Sequence, residues 1–194
     1  MERKGACVEG VVSIGEHQYI VSGDEHDTNF TWWREHGCPP RERVPYQVAI
    51  HPGDICCDIG ANIGVTALMI RSCCGPTGHV VAFEAAPSNY IHLQHTMMAN
   101  SITNCELVNA AVGASNGALH VVERGPHSHV VPASTPTAVG IPMIALDDWW
   151  SSNGRGRLAF LKIDVEGYEI EVLKGASRTI LQHCPRLLIE FNSL

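Results

Sequence analysis

The feature that most constrains this chain is an alternation that begins near residue 51. Short apolar, strand-like runs take turns with longer helix-like ones: 55–59 then 65–72, and 80–83 then 88–99. Strand-like runs follow at 106–112, 119–122 and 141–145, and the series closes with 158–163, a helix-like 168–182 and a strand-like 187–191. Repetition of this kind builds crossover units whose strands lie parallel and whose helices cover both faces of the sheet. An α/β fold with a mostly parallel sheet is therefore expected. Its last strand, at 187–191, should fall at or near an edge. Unless residues 1–50 cover it, such an edge exposes unpaired amides that invite another chain, so a homodimer or limited solubility is expected.

With 194 residues the chain is long enough for one domain with a sizeable core. Residues 1–50 lack the rhythm of the rest. They hold Trp32, Trp33, Pro39, Pro40 and Pro45 and read as an irregular lead-in with a short strand at 17–21, ahead of a domain over 51–194. In the helix at 65–72, Val65, Leu68, Met69 and Ser72 share one stripe, and Pro87 suits the first turn of the next helix. Residues 125–140, rich in Pro, Ser, Thr and His, show no period and read as a loop long enough to act as a lid.

The composition excludes several classes. A net charge of −7 argues against a nucleic-acid partner held through its phosphates. No apolar run is long enough to span a bilayer, and no secretory signal is visible. The eight cysteines include two adjacent pairs and no C-x-x-C spacing, which suits neither a disulfide framework nor a zinc site. They read as reduced core residues of a cytoplasmic protein. The sequon Asn29-Phe30-Thr31 is then coincidental.

Ligands of open parallel sheets bind outside the carboxyl ends of the strands, so the residues just past each strand matter most. After the first they are Asp58, Gly60, Asn62 and Gly64; after the second comes Glu84, twenty positions beyond Gly64. An acid at that distance suits the two hydroxyls of a ribose. A nicotinamide dinucleotide is disfavoured, because Asn62 and Val65 break the G-x-G-x-x-G pattern and Asp58 would repel a diphosphate. A ligand with a ribose, an ammonium group and no phosphate makes the same carboxylate useful. S-adenosylmethionine is such a ligand, with Asp58 facing its amino acid part.

Three stretches carry a resemblance. Asp58-Ile-Gly-Ala-Asn-Ile-Gly64, Phe83-Glu84-Ala-Ala-Pro87-Ser-Asn89, and Leu161-Lys-Ile-Asp164-Val-Glu166-Gly167-Tyr-Glu169 followed by Val172-Leu-Lys-Gly-Ala176 together resemble the FkbM family of S-adenosylmethionine-dependent methyltransferases. Leu146-Asp147 also falls where that family has Leu-Asp, and Ala85 replaces the proline of its usual Phe-Glu-Pro. The resemblance implies a class I, Rossmann-like methyltransferase sheet and O-methylation of a hydroxyl on a sugar, secondary metabolite or other small molecule. It implies that Gly60 and Gly64 admit the methionine part of the cofactor, that Glu84 holds the ribose, that Asn109 or Ala111 lies beside the adenine, and that Asp164 closes the site.

Methyl transfer from a sulfonium needs an aligned oxygen that loses its proton, and Asp164 or Glu166 could take that proton or orient the hydroxyl. Asp164 with Glu190 and Asn192 would also make an oxygen set suited to Mg²⁺, although a solvated sheet edge explains them better; no metal is specified. His127 and His129 in the long loop are candidate ligands or bases, Trp149 and Trp150 a substrate wall or core packing, and Lys162 has no assigned role. The chain ends at Leu194, where this family's sheet usually continues with a helix and an antiparallel pair. The alternative expectation is accordingly a truncated or catalytically weak binding module.

Overall fold

The computed structural model describes residues 7–122, 129–130, 135, 139–153 and 156–191. Most of the 125–140 loop, including His127, and Asn192 lie outside them, and so do the lid and the full Mg²⁺ ligand set expected there.

The alternation builds the parallel sheet it predicts. Strands β3 (Ile55–Ile59), β4 (His79–Phe83), β5 (Cys105–Val108), β10 (Leu158–Ile163) and β11 (Arg186–Ile189) lie in the order β11-β10-β3-β4-β5, all neighbours parallel. The three central strands are buried almost throughout, whereas β5 and β11 at the edges are half-exposed, which is why the central runs read as apolar sequence broken only by Asp58 in β3, His79 at the start of β4 and Lys162 in β10. Period two still sorts their side chains. Cys56, Val80, Ala82 and Phe160 enter the core on one face; Cys57, Ile59, Val81, Phe83, Leu161 and Ile163 enter the core on the other. From β3 the chain runs outward through α3 (Val65–Cys74), β4, α4 (Pro87–Ala99) and β5, then returns to the other side of β3 through β10. The direction reverses between β3 and β10, and that crevice is where a ligand site is expected.

The first fifty residues are not irregular. Strands β1 (Cys7–Ile14) and β2 (His17–Asp24) pair as an antiparallel hairpin, followed by α1 (Thr28–His36) and α2 (Pro40–Ala49). The hairpin docks on α4 through Ser22 N to Thr96 Oγ1 (3.0 Å), Ile20 N to Asn100 Oδ1 (2.9 Å) and Asn100 Nδ2 to Ile20 O (2.6 Å). Asp27 caps α1 by accepting from Phe30 N at 2.9 Å, and Phe30 is wholly buried. Its ring lies on the hairpin where Gly23 has no side chain; a Cβ there would sit 2.4 Å from the ring. Val12, Val21, Phe30, Tyr46 and Ile50 join the same core as Cys56, Leu68 and Phe160. The added layer explains why α3 buries Ala67 and Ile70 as well as the expected Val65, Leu68 and Met69, while Ser72 stays exposed.

Two expected runs are broken in the fold. Run 106–112 leaves the sheet after Val108 and resumes as β6 (Ala111–Val112), which joins β7 (Gly117–Val122), β8 (His129–Val130) and β9 (Val139–Ile144) in the order β6-β9-β7-β8. Run 168–182 is two helices, α6 (Glu169–Gly175) and α7 (Ser177–His183). Helix α5 (Leu146–Asn153) holds Asp147, whose Oδ1 accepts from Thr179 N (2.7 Å) and Oδ2 from Arg178 N (3.0 Å), capping the first turn of α7. Trp150 is buried in the α5 face of the core, and Trp149 packs beside it with its ring 5.2 Å from that of Phe83. Neither ring lines the cavity at the strand ends. Cys38, Cys56, Cys57 and Cys74 are buried free thiols, but Cys7 and Cys184 are exposed. Among the described residues no helix is long and apolar enough to cross a membrane.

Candidate active site

A cavity of about 360 Å³ opens at the carboxyl ends of β3, β4 and β10. Its floor is the turn after β3. Gly60 N and Ala61 N both donate to Phe83 O, at 3.0 and 2.9 Å, and fasten this turn to the end of β4. Gly60 takes φ +82°, and a Cβ there would lie 1.8 Å from Asp164 O, so only glycine allows the two loops to meet. Gly64 begins α3 behind the turn, facing Leu93 and Met97 rather than the cavity.

Glu84 follows β4, lines the cavity and is only 7% exposed. Asn62 N donates to its Oε2 and Ala86 N to its Oε1, each at 2.8 Å, so two backbone amides aim the group. Burial pushes the Glu84 carboxyl up to about 7, against the pull of those amides. Apolar Phe83, Ala110, Ala111 and Val112 line the neighbouring wall. Asn109 does not line it. Its Nδ2 donates to Glu84 O (2.8 Å) and Ala85 O (3.3 Å), making it a brace for the loop that carries Glu84. Of the two residues left open as adenine neighbours, Ala111 faces the cavity.

Asp58 departs from expectation. It is fully buried, and it does not line the cavity. Its Oδ2 accepts from Thr66 Oγ1 at 2.6 Å, and its Oδ1 lies 3.2 Å from Lys162 Nζ. A carboxylate so enclosed needs a counter-charge inside the protein, and Lys162 supplies it in place of a ligand ammonium. Lys162, 4% exposed, also donates to Gly60 O at 2.9 Å and lies 3.4 Å from Asp164 Oδ2. Burial opposes its charge, yet Asp58 and Asp164 hold its ammonium above the ordinary lysine range. One buried cation thus ties together β3, the Gly60 turn and the end of β10.

The opposite wall carries acids. Asp164 and Glu166 line the cavity after β10, with Glu166 at φ +53°. Glu169 holds this loop by accepting from Gly167 N at 2.9 Å and Val165 N at 3.4 Å. Glu190, past β11, joins them, its carboxyl raised by the charge of Asp164 and then by burial. Among the described residues no trio of His, Cys, Asp or Glu is placed to hold a metal, and Asn192 of the expected Mg²⁺ set lies outside them.

The fold thus brings Gly60, Asn62, Glu84, Asp164 and Glu166 to one cavity and leaves Asp58, Gly64 and Asn109 behind its lining. Residues from the lead-in complete it: Asn29 and Trp33 from α1, Glu42 and Tyr46 from α2. No motif marks them. The one available signal for Lys162 was a charge inside an otherwise apolar strand, paired in register with Asp58 of β3.

Over residues 58–194 the sequence matches the family described as the methyltransferase FkbM domain. The hexuronic acid methyltransferase AglP of Haloferax volcanii is 28% identical over 145 residues, which cover 72% of this chain and 56% of AglP. The crystal structure of methyltransferase FkbM from Methylobacillus flagellatus KT aligns with a TM-score of 0.54 at 21% identity, covering 78% of this chain and 40% of that one. The second likeness concerns the fold alone. The chain spans about half the length of the curated relative it matches.

Proposed function

The chain belongs to the FkbM methyltransferase domain family, and from that premise we propose that it moves a methyl group from S-adenosylmethionine to a hydroxyl oxygen of a sugar or other small molecule. The observation that carries this reading is Glu84: a buried carboxylate, aimed by two amides into a cavity with an apolar flank. Two adjacent ribose hydroxyls can donate to its oxygens, while adenine lies against Ala110 and Ala111. At about 360 Å³ the cavity falls in the usual range for small-molecule sites, roughly 300–1,000 Å³. The residues present fit the cofactor, which supplies an electrophilic methyl on a sulfonium.

The protein's own work is to position and deprotonate. The backbone of the Gly60–Asn62 turn takes the methionine part, and the acids across the cavity take the acceptor. Asp164, at the end of β10 and beside the fixed Lys162 ammonium, is the group proposed to orient the acceptor hydroxyl and receive its proton. Glu166 and Glu190 bind neighbouring hydroxyls. A sugar acceptor is supported by AglP, whose name records methylation of a hexuronic acid, and by Trp33, an aromatic side chain lining the cavity.

The test is a methyl-transfer assay over a panel of sugars and sugar acids, read as S-adenosylhomocysteine formed. Asp164→Asn keeps shape while removing charge, so its turnover should fall by about 10²–10⁴-fold, the usual contribution of a positioned base. Its S-adenosylhomocysteine affinity should change little. Equal losses of affinity and turnover would move Asp164 from proton transfer to cofactor binding.

A further inference from the structure

A second cavity, of about 650 Å³, shares Tyr46 and Met69 with the first as a common wall. It is bounded by the β1–β2 turn at Gly15 and His17, by Arg43 and Gln47 of α2, and by Ser72 near the end of α3. None of its other lining residues belongs to the methyl-transfer site. Arg43 dominates it. The Arg43 Nε is buried with no hydrogen-bond partner, and among the described residues no carboxylate pairs with its guanidinium. Neighbouring Glu42 lies 3.3 Å from Arg41 instead. Glu16 lines the cavity from an exposed position in the hairpin turn and does not reach Arg43.

The guanidinium lies against bare backbone. Gly15 opens the two-residue turn at φ +64°, and a Cβ there would sit 2.6 Å from Arg43 Nη1. A guanidinium is always charged and carries five N–H donors. Burying one of those donors without an acceptor is unfavourable, and a paired oxyanion removes that cost by accepting two parallel N–H bonds. In a protein of net charge −7, the absence of a carboxylate beside this arginine leaves that place to a ligand. Gln47 and His17 bring further polar groups to the same cavity.

We propose that this second cavity is an oxyanion-binding site, in which Arg43 clamps a carboxylate or phosphate group with Gln47 and His17 beside it. The shared wall allows two sources: an acidic group carried by the methyl acceptor, or a free anion that settles α2 and Tyr46 against the reaction cavity.

Titration calorimetry on the full chain with two probes, glucuronate and inorganic phosphate, distinguishes them. The wild-type protein should bind at least one, and the tighter probe identifies the source. Arg43→Gln should weaken that binding about tenfold or more, in line with a lost charge-assisted pair, while S-adenosylhomocysteine affinity stays unchanged as a sign of an intact fold. Arg43→Lys, which keeps the charge but loses the planar fork, should fall between the two. Failure of both probes to bind the wild type, or equal binding by Arg43→Gln, overturns the site. Because S-adenosylhomocysteine is measured separately, either result leaves the methyltransferase reading standing or falling on its own data.

Discussion

Glu84 meets burial and two amide donors at once, so its protonation should govern ligand binding. Ribose hydroxyls donate best to an ionised carboxylate. With the Glu84 carboxyl at about 7, S-adenosylhomocysteine affinity should weaken as pH falls through that value, and Glu84→Gln should flatten the profile. Stability of the free protein moves the other way. Burial raises the folded pKa from the ordinary 4.5 to about 7, so between those values the folded state keeps a proton that the unfolded chain has lost. This group's contribution is complete below about 4.5 and disappears as pH rises to about 7. Urea unfolding at several pH values checks the sign, and calorimetry the affinity. Lys162 gives a second residue-scale expectation. Lys162→Met strands the buried Asp58 without its counter-charge and should cost about 3–5 kcal/mol. Adding Asp58→Asn should restore part of that loss in the same urea measurement; no recovery would mean that Lys162 acts through Gly60 O alone.

At the scale of elements, the N-terminal hairpin and α1 are joined by Phe30. The ring fills the space that Gly23 leaves open and stands in the core shared with α3 and β10. Phe30→Ala should therefore destabilise the protein by about 3–5 kcal/mol, the range for emptying a buried aromatic site. Hydrogen exchange should rise first in β2, whose amides at Ile20 and Ser22 depend on docking to α4. If β2 exchange is unaltered, the hairpin is anchored by α4 alone.

For the whole molecule, one core runs from the hairpin through α3 to the sheet, with no break at residue 50. Trp33 of α1 packs on that core beside Trp32, whereas Trp149 and Trp150 of α5 belong to the core on the other face of the sheet. Phenylalanine replacement of either pair isolates the other. Both fluorescence signals should then lose native character at one denaturant midpoint, because both cores are built on the same strands β3, β4 and β10 and unfold with them. Separate midpoints would show that residues 7–50 and the sheet are independent units.

The parallel sheet and the acids at its strand ends were legible in the sequence because they rest on local rules. Strands buried on both faces are apolar almost throughout, and the loops after them carry most of the polar residues of the site: Glu84, Asp164 and Glu166, beside Gly60. Residue roles that depend on partners far along the chain were not legible. Asp58 reads as a ligand for an ammonium until β10 is laid beside β3; then Lys162 stands in register with it and satisfies it internally. The lead-in shows no period because α1 and α2 bury only single residues, Phe30 and Tyr46, against elements that follow them. Its contributions to both cavities, Trp33 to one, Arg43 to the other and Tyr46 to both, exist only once the hairpin has docked on α4 and α2 has packed on α3. Local pattern determined the sheet and its acids; pairing of charges and sharing of walls across distant segments is a property of the tertiary structure alone.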